Sequence, residues 1–404
     1  MLPRLGIEHD DIEIASAIER FAQHELAPHA RQVDEEEIAT TRYVPALAEL
    51  GVMGMNLPER WGGVGASPTG VILSLVEIAK ACAATSSMVG AHYLATDSVL
   101  IGGDDAIRDR LLPAAAAGAR LGAFALTEPR AGSNPADMAT RATAHSDGYR
   151  IQGVKHFISN AGDADFIVVY AKTDPAAGVR GISAFVVERG TPGLVISPPE
   201  KLMGIRGAPA HEIVLDCVVP RANRLGEEGS GFRTAMRVLD NSRLDVAATC
   251  IGIAEAALAA ALDWVAQRIV GGEPLACKQG IQWMLADMKV RLEAAWLLTL
   301  QAAARRGAAQ PLTEAAAMAK WYASEAAAYV TDMALQIHGG YGFTRDMPLE
   351  RFARDARIMR IYEGSSEIQR TVIARHMLGR PSSTPSLPGN APASAMPEPA
   401  RGAG

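Results

Sequence analysis

The chain has only four cysteines, and Cys82, Cys217, Cys250 and Cys277 lie far apart with no Cys-x-x-Cys pair among them. That spacing excludes a zinc knuckle and a disulfide framework, and leaves reduced thiols in a cytoplasmic protein as the expectation. His92, His156, His338 and His376 never fall at His-x-x-x-His spacing, so no metal site is expected. Positive charge is not in excess. Lys and Arg number 39 against 45 Asp and Glu, and the two signs are interspersed, which excludes a dedicated nucleic-acid surface while leaving room for a local basic pocket around an anion. Residues 1–11 are acidic and lack a basic segment followed by an apolar core, so no secretory signal is expected. The longest apolar run, residues 246–262, is broken by Glu255 and falls short of a bilayer span; it reads as a buried helix of a soluble protein with no membrane partner. No internal repeat is evident.

What is present is length and apolar content: 404 residues at 49% hydrophobic can bury a large core divided into two or three domains. Residues 1–120 read as helical. Ile14, Ile18, Phe21, Ala22 and Leu26 recur at three- and four-residue spacing before Pro28, and Ser67-Pro68 opens a further helix toward Ala83 after the glycine-rich loop 61–65. Residues 121–225 change period. Segments 149–152, 165–173, 181–189 and 211–220 are strand candidates between Gly, Pro and Asp, which predicts a small antiparallel β barrel or sandwich rather than a doubly wound sheet. In residues 226–380 the helical period returns near 232–270, 279–306, 312–338 and 365–378, a C-terminal helical bundle. Gly226, Gly229 and Gly231 read as a helix entrance, because no strand-turn-helix unit surrounds them. The Pro-, Ser-, Ala- and Gly-rich tail 381–404 is expected to be disordered.

Four short motifs stand out against this background. The fourth in order, residues 361–370, places Glu363 on a glycine-flexed turn between Ile361-Tyr362 and the capping sequence Ser365-Ser366-Glu367. A carboxylate beside apolar groups loses solvation and becomes a stronger proton acceptor, so Glu363 is a candidate base; ordinary decoration of a helix entrance is the alternative. The first runs Phe124-Ala125-Leu126-Thr127-Glu128-Pro129-Arg130-Ala131-Gly132-Ser133-Asn134, small and polar groups that suit a backbone pressed against a planar ligand or, equally, a plain turn after a strand. The second is Phe157-Ile158-Ser159-Asn160, where an alternating strand turns Phe157 toward the core. The third, Gln336-Ile337-His338-Gly339-Gly340-Tyr341-Gly342-Phe343, ends a helix in glycines able to adopt positive φ and to aim N–H groups at an anion, or simply to cap the helix.

Together, in this order and spacing, the motifs resemble the acyl-CoA dehydrogenase family, flavoenzymes with helical, β and helical domains, and the resemblance covers all but the tail. It implies FAD as cofactor. Phe124, Ala125, Leu126, Thr127 and Ser133 would line it, Thr127 reaching the flavin ring and Ser133 also touching the CoA arm. Phe157, Ile158 and Ser159 would cover the other flavin face; Arg268, Gln279, Gln336, Gly339 and Gly340 would bind FAD across a subunit boundary; Ser365, Ser366 and Glu367 would contact it beside the base. Asp240 and Arg243 match a substrate-contacting stretch, although a solvated helix pair gives the same spacing, and Gly364 lets substrate lie close to the chain. Several positions depart from the family pattern: Asn134 stands where an acid is usual, Phe157 where Trp is common, and Gly271 where an aromatic is common. Isovaleryl and long-chain relatives carry their base at the position of Ser242, so Glu363 is placed as the base of this chain.

The implied reaction is α,β-dehydrogenation of an acyl-CoA to the trans-2-enoyl-CoA. Glu363 takes the α proton, flavin N5 takes the β hydride, and an electron-transfer flavoprotein is the expected acceptor in fatty acid metabolism. A homotetramer is implied. The resemblance leaves open an acyl-CoA oxidase, an enoyl-CoA reductase, or an acyl-CoA- or flavin-binding protein without catalysis. Ser86, Ser87 and Gly90 are small and hint at room for a medium or branched acyl group, while Thr85 stands where glutaryl-type relatives place an arginine, which disfavours a dicarboxylic substrate.

Overall fold

A computed structural model describes residues 7–379, so the expectation for 381–404 lies outside the described residues. Six helices build the first third: α1 (His9–Phe21), α2 (Ala30–Glu35), α3 (Val44–Glu49), α4 (Pro68–Ala81), α5 (Ala83–Gly102) and α6 (Asp105–Ala116). The three-and-four spacing buries Ala15, Ile18, Ala22 and Leu26, the last two on a π turn (Ala22–Leu26) that continues α1. Ser67 caps α4 by accepting from the Gly70 N–H at 3.0 Å and donates to Asp11 at 2.8 Å. Cys82, extended at φ −151°, breaks α4 from α5.

The middle third is one eight-stranded sheet. Its strands are β1 (Gly122–Ala125), β2 (Arg141–His145), β3 (Gly148–Ser159), β4 (Phe166–Lys172), β5 (Ile182–Glu188), β6 (Leu194–Pro199), β7 (Ala210–Val219) and β8 (Arg224–Leu225). They run in the order β6-β7-β3-β2-β4-β5-β8, with β1 beside β4. The central sheet between helical domains is as expected, but of the expected antiparallel barrel or sandwich two features exclude the barrel and the wholly antiparallel pairing. β6 and β8 are ends of the path, so the sheet does not close into a barrel; and β1 and β2 both pair β4 in parallel, Gly122 opposite Phe166 and Arg141 opposite Lys172. The reason is connectivity. Tight turns enforce antiparallel pairing only between strands they join, as between β2 and β3 at Asp147-Gly148, whereas β1 arrives from α6 and is free to run alongside β4. β3 also runs well past the expected 149–152, and its register against β7 shifts between Lys155 and Ile158.

A long helix, α7 (Gly231–Gln267), crosses the last third and packs on α4, α5, α8 (Gln279–Gly307) and α9 (Thr313–His338). By length and composition it could cross a membrane, but it is mostly buried inside the bundle. Alanine and glycine let the helices approach: a Cβ at Gly252 would sit 2.5 Å from the Val76 carbonyl of α4. Between α7 and α8 lies a hairpin of β9 (Ile269–Val270) and β10 (Glu273–Pro274). Two shorter helices follow, α10 (Leu349–Ile358) and α11 (Ser366–Leu378), and the turn between them carries Glu363. α10 was not among the expected helices, although Leu349, Phe352, Ala356 and Met359 form its buried stripe.

Candidate active site

The α10–α11 turn is held from inside. The N–H groups of Ile361 and Tyr362 both bond the Ile358 carbonyl, the chain then enters the left-handed region at Glu363 (φ +54°) and Gly364 (φ +88°), and Ser365 caps α11. Fully buried Gln369 donates through Nε2 to the carbonyls of Glu363 at 3.0 Å and Gly364 at 2.9 Å. Lys320 of α9, also fully buried, donates to the same Gly364 carbonyl at 2.7 Å. With both carbonyls turned inward, the N–H groups of Glu363, Gly364 and Ser365 donate to nothing among the described residues. Successive free N–H groups at a left-handed turn make a concavity suited to negative charge.

The Glu363 carboxylate points at α7. Its Oε2 accepts from Ser242 Oγ at 2.8 Å. Burial pushes the carboxyl above its ordinary value, and the Ser242 hydroxyl, Lys320 and Arg243 pull the other way. Arg243 is buried and bonds Asp240 at 2.6 Å, and Asp240 also accepts from Thr313 at 2.6 Å. So this is an enclosed pair and not the solvated one that its spacing allows. One turn beyond Ser242, burial raises Asp245 to about 8 and leaves its Oδ1 without a partner among the described residues. Ser366 and Arg360 both bond Glu325 of α9, at 2.7 and 3.0 Å, and pin the turn from its other side, whereas Glu367 faces solvent.

A second group of expected residues meets on the sheet. Ala125 and Leu126 are buried at the end of β1, and Phe124 and Thr127 are half-buried. Beneath them lies fully buried Lys155 of β3, which donates to the Leu126 carbonyl at 3.0 Å and to the Glu128 carboxylate at 2.8 Å, while the His156 N–H bonds the Thr127 carbonyl at 3.0 Å. These contacts tie the first motif to the second. At the β3 bulge Phe157 takes φ +60°, and the alternation expected to bury it is interrupted: the ring is 59% exposed and stacks on His156 at 4.0 Å and 6°. Ile158 is buried and Ser159 half-buried; Ser133 and Asn134 are exposed.

The third group lies at the end of α9. A cleft of about 540 Å3 joins Arg268, Gly339 and Gly340 with Trp264, His338 and Tyr341. Gly339 has positive φ, and a Cβ at Gly339 or Gly340 would meet nothing within 4 Å. Among the described residues the Arg268 guanidinium, 5.8 Å from the Tyr341 ring, forms no ion pair and the buried Nε2 of His338 has no hydrogen-bond partner. Gln279 and Gln336 are exposed and do not line the cleft. Sequence reasoning missed Lys320, Gln369 and Lys155. The signal for the first was a lone lysine directly after the alanine-rich run 315–319.

Three family models match consecutive parts of the chain: acyl-CoA dehydrogenase N-terminal domain over residues 8–119, middle domain over 123–218 and C-terminal domain over 229–378. The acryloyl-CoA reductase (NADH) of Anaerotignum propionicum is 43% identical over 89% of this chain and 92% of its own length. Butyryl-CoA dehydrogenase from Megasphaera elsdenii superposes with a TM-score of 0.90 at 39% identity, covering 92% of this chain and 99% of that one. A structure described as the electron transferring flavoprotein of Acidaminococcus fermentans, in work on flavin-based electron bifurcation, has a TM-score of 0.91 at 39% identity over 93% of this chain and 99% of that one.

Proposed function

The chain belongs to the acyl-CoA dehydrogenase family, and from that premise we propose that it oxidises an acyl-CoA thioester at the α,β bond with Glu363 as the proton-abstracting base. The observation that carries this is the half-buried Glu363 carboxylate on a turn where the N–H groups of Glu363, Gly364 and Ser365 donate to nothing among the described residues. The family is FAD-dependent, and the residues present fit such a group: an exposed aromatic plane at Phe157, a segment of small residues beside it, and a cation next to open glycines in the Arg268 cleft. Phe124 to Thr127, Ser133, Phe157 to Ser159 and Ser365 to Glu367 would hold the flavin end, and Arg268, Gly339, Gly340, Gln279 and Gln336 the phosphate end. When bound, FAD supplies the acceptor for the hydride that leaves the β carbon.

The protein's own part is the proton and the negative charge. Oε2 of Glu363 is held by Ser242, and Oε1 accepts no hydrogen bond among the described residues, so it is the oxygen available to the α proton. An acyl thioester is a weak carbon acid, and the enolate that develops needs donors aimed at its oxygen; the free Glu363 N–H is one, a contribution of about 3 kcal/mol in comparable sites. Gly364 leaves room above the turn. Asp240 and Arg243 are proposed to brace the substrate side of α7. The base works only as carboxylate, and burial raises its pKa, so kcat/KM falls as pH drops through a value above the ordinary ~4.3 of a glutamate.

A short acyl group is proposed, on the names of the butyryl- and acryloyl-CoA relatives. Ser86 is engaged with Thr249 at 2.8 Å, while Ser87 and Gly90 remain as the small positions. An electron-transfer flavoprotein is the proposed acceptor, in keeping with the likeness to the Acidaminococcus structure. The 43% identity to an acryloyl-CoA reductase favours a second reading, the same chemistry run toward the saturated acyl-CoA. Anaerobic titration of the yellow protein with acyl-CoA esters of graded length and branching tests both. Bleaching that is strongest with a short ester supports the oxidative reading, oxidation of NADH by an enoyl-CoA with added electron-transfer flavoprotein supports the reductive one, and neither response rejects both.

A further inference from the structure

Lys320 lies two turns into α9 and is fully buried, and the Gly364 carbonyl is its hydrogen-bond acceptor. No carboxylate comes within ion-pair distance of its Nζ among the described residues. Burying an ammonium costs several kcal/mol unless it is compensated, and one carbonyl bond returns about half of that or less. The compensation lies in the charges around the turn. From α7, Arg243 faces Glu363 but is neutralised by Asp240 at 2.6 Å. Asp245, also on α7 and under the field of Arg306 from α8, keeps its proton up to about 8. On α9, Glu325 is matched by Arg360 of the turn itself at 3.0 Å. Cys250 of α7 and Tyr362 of the turn both face this space and are pushed up by burial, so they are neutral. With Arg306 acting on Asp245 and not on this pair, Lys320 and Glu363 are left facing each other as charges of opposite sign.

We infer that Lys320 is a positioning residue for the base: its ammonium anchors the Gly364 carbonyl, which keeps Glu363 in its left-handed conformation, and its charge balances that of the Glu363 carboxylate. This rests on Glu363 being the base. Gln369 makes the same carbonyl bond without charge, so the tether alone does not explain a lysine at this place. Burial drives Lys320 down to about 8, which leaves it a cation at pH 7.

The test is the pH profile of kcat/KM for acyl-CoA oxidation by purified holoenzyme with an artificial acceptor, in wild type, Lys320→Gln, Lys320→Arg and Glu363→Gln. Glutamine keeps a donor for Gly364 and removes the charge. The acid limb should move alkaline by about one pH unit or more in Lys320→Gln, a tenfold loss at low pH that shrinks as pH rises, and should stay near wild type in Lys320→Arg. A limb unmoved in Lys320→Gln, or moved equally in both variants, overturns the inference. Glu363→Gln separates the two ideas: if it still turns over, the base assignment fails, whereas if it is dead and the Lys320→Gln limb is unmoved, only the role of Lys320 fails. Should Lys320→Gln not accumulate as holoenzyme, infrared difference spectra of wild type against Glu363→Gln decide. An ionised Glu363 at pH 7 supports the inference, and a protonated carboxyl band persisting to pH 8 overturns it.

Discussion

Gly364 takes φ +88°, and a Cβ there would lie 2.5 Å from Gln369 Nε2. Gly364→Ala therefore combines left-handed strain with displacement of the amide that holds the turn, and should destabilise the protein by about 1–2 kcal/mol and lower kcat, as read by urea unfolding and steady-state assay. Asp245 predicts a pH effect on stability. Its folded pKa is raised to about 8 by burial, with Arg306 opposing and Asp97 and Glu363 adding. The folded protein thus keeps a proton that the unfolded chain releases above ~4, so the Asp245 contribution is present in acid and is lost as pH rises toward 8, at about 1.4 kcal/mol per unit. Asp245→Asn should flatten that decline, giving a urea midpoint less sensitive to pH between 5 and 8; an unchanged slope contradicts it. At this scale the turn was legible, because a carboxylate next to a glycine and a capping serine carries its own signal. Lys320, Gln369 and Lys155 were not, since a lone lysine or glutamine on a helix or strand looks solvated until packing shows which face is inside.

The element that delivers the turn, α10, is clamped to the rest of the chain by Arg354. Its guanidinium grips Asp34 of α2 at 2.8 and 2.5 Å, Glu350 at 2.6 and 2.8 Å, and the Met203 carbonyl at 3.0 Å after β6. Asp34 is buried and keeps only the longer contact to Arg206 at 4.0 Å once Arg354 is gone, so Arg354→Met should cost about 3 kcal/mol, visible as a fall in melting temperature of roughly 5 °C or more. A melt within 1 °C of wild type would show the clamp to be energetically idle. Hydrophobic period revealed the long helices, since α7, α8 and α9 each bury a stripe that repeats over many turns. It could not reveal that β1 runs parallel to β4 or that β3 bulges at Phe157, because side-chain alternation reports which face is buried and says nothing about partner or direction.

For the whole molecule, α8 exposes Trp283, Val290 and Leu297 at seven-residue intervals, and Phe343 beside the Arg268 cleft is 85% exposed. An apolar stripe of that spacing suits packing against another helix, as a contact between subunits would require. Trp283→Glu with Leu297→Glu should shift the mass by light scattering to smaller species, whereas an unchanged mass would place the subunit contact elsewhere. Assembly bears on the site because Arg268, Gly339 and Gly340, three of the residues expected to grip the phosphate end of FAD, line the α9 cleft, whose lining includes none of the expected residues of the sheet or the α10–α11 turn. The sequence motifs told which residues belong together without telling that they form three separate places. Everything still turns on one side chain. Rapid anaerobic mixing of FAD-loaded wild type and Glu363→Gln with the preferred acyl-CoA should bleach the flavin at least about 10³-fold more slowly in the variant with ester binding retained; equal bleaching rates would contradict Glu363 as the base.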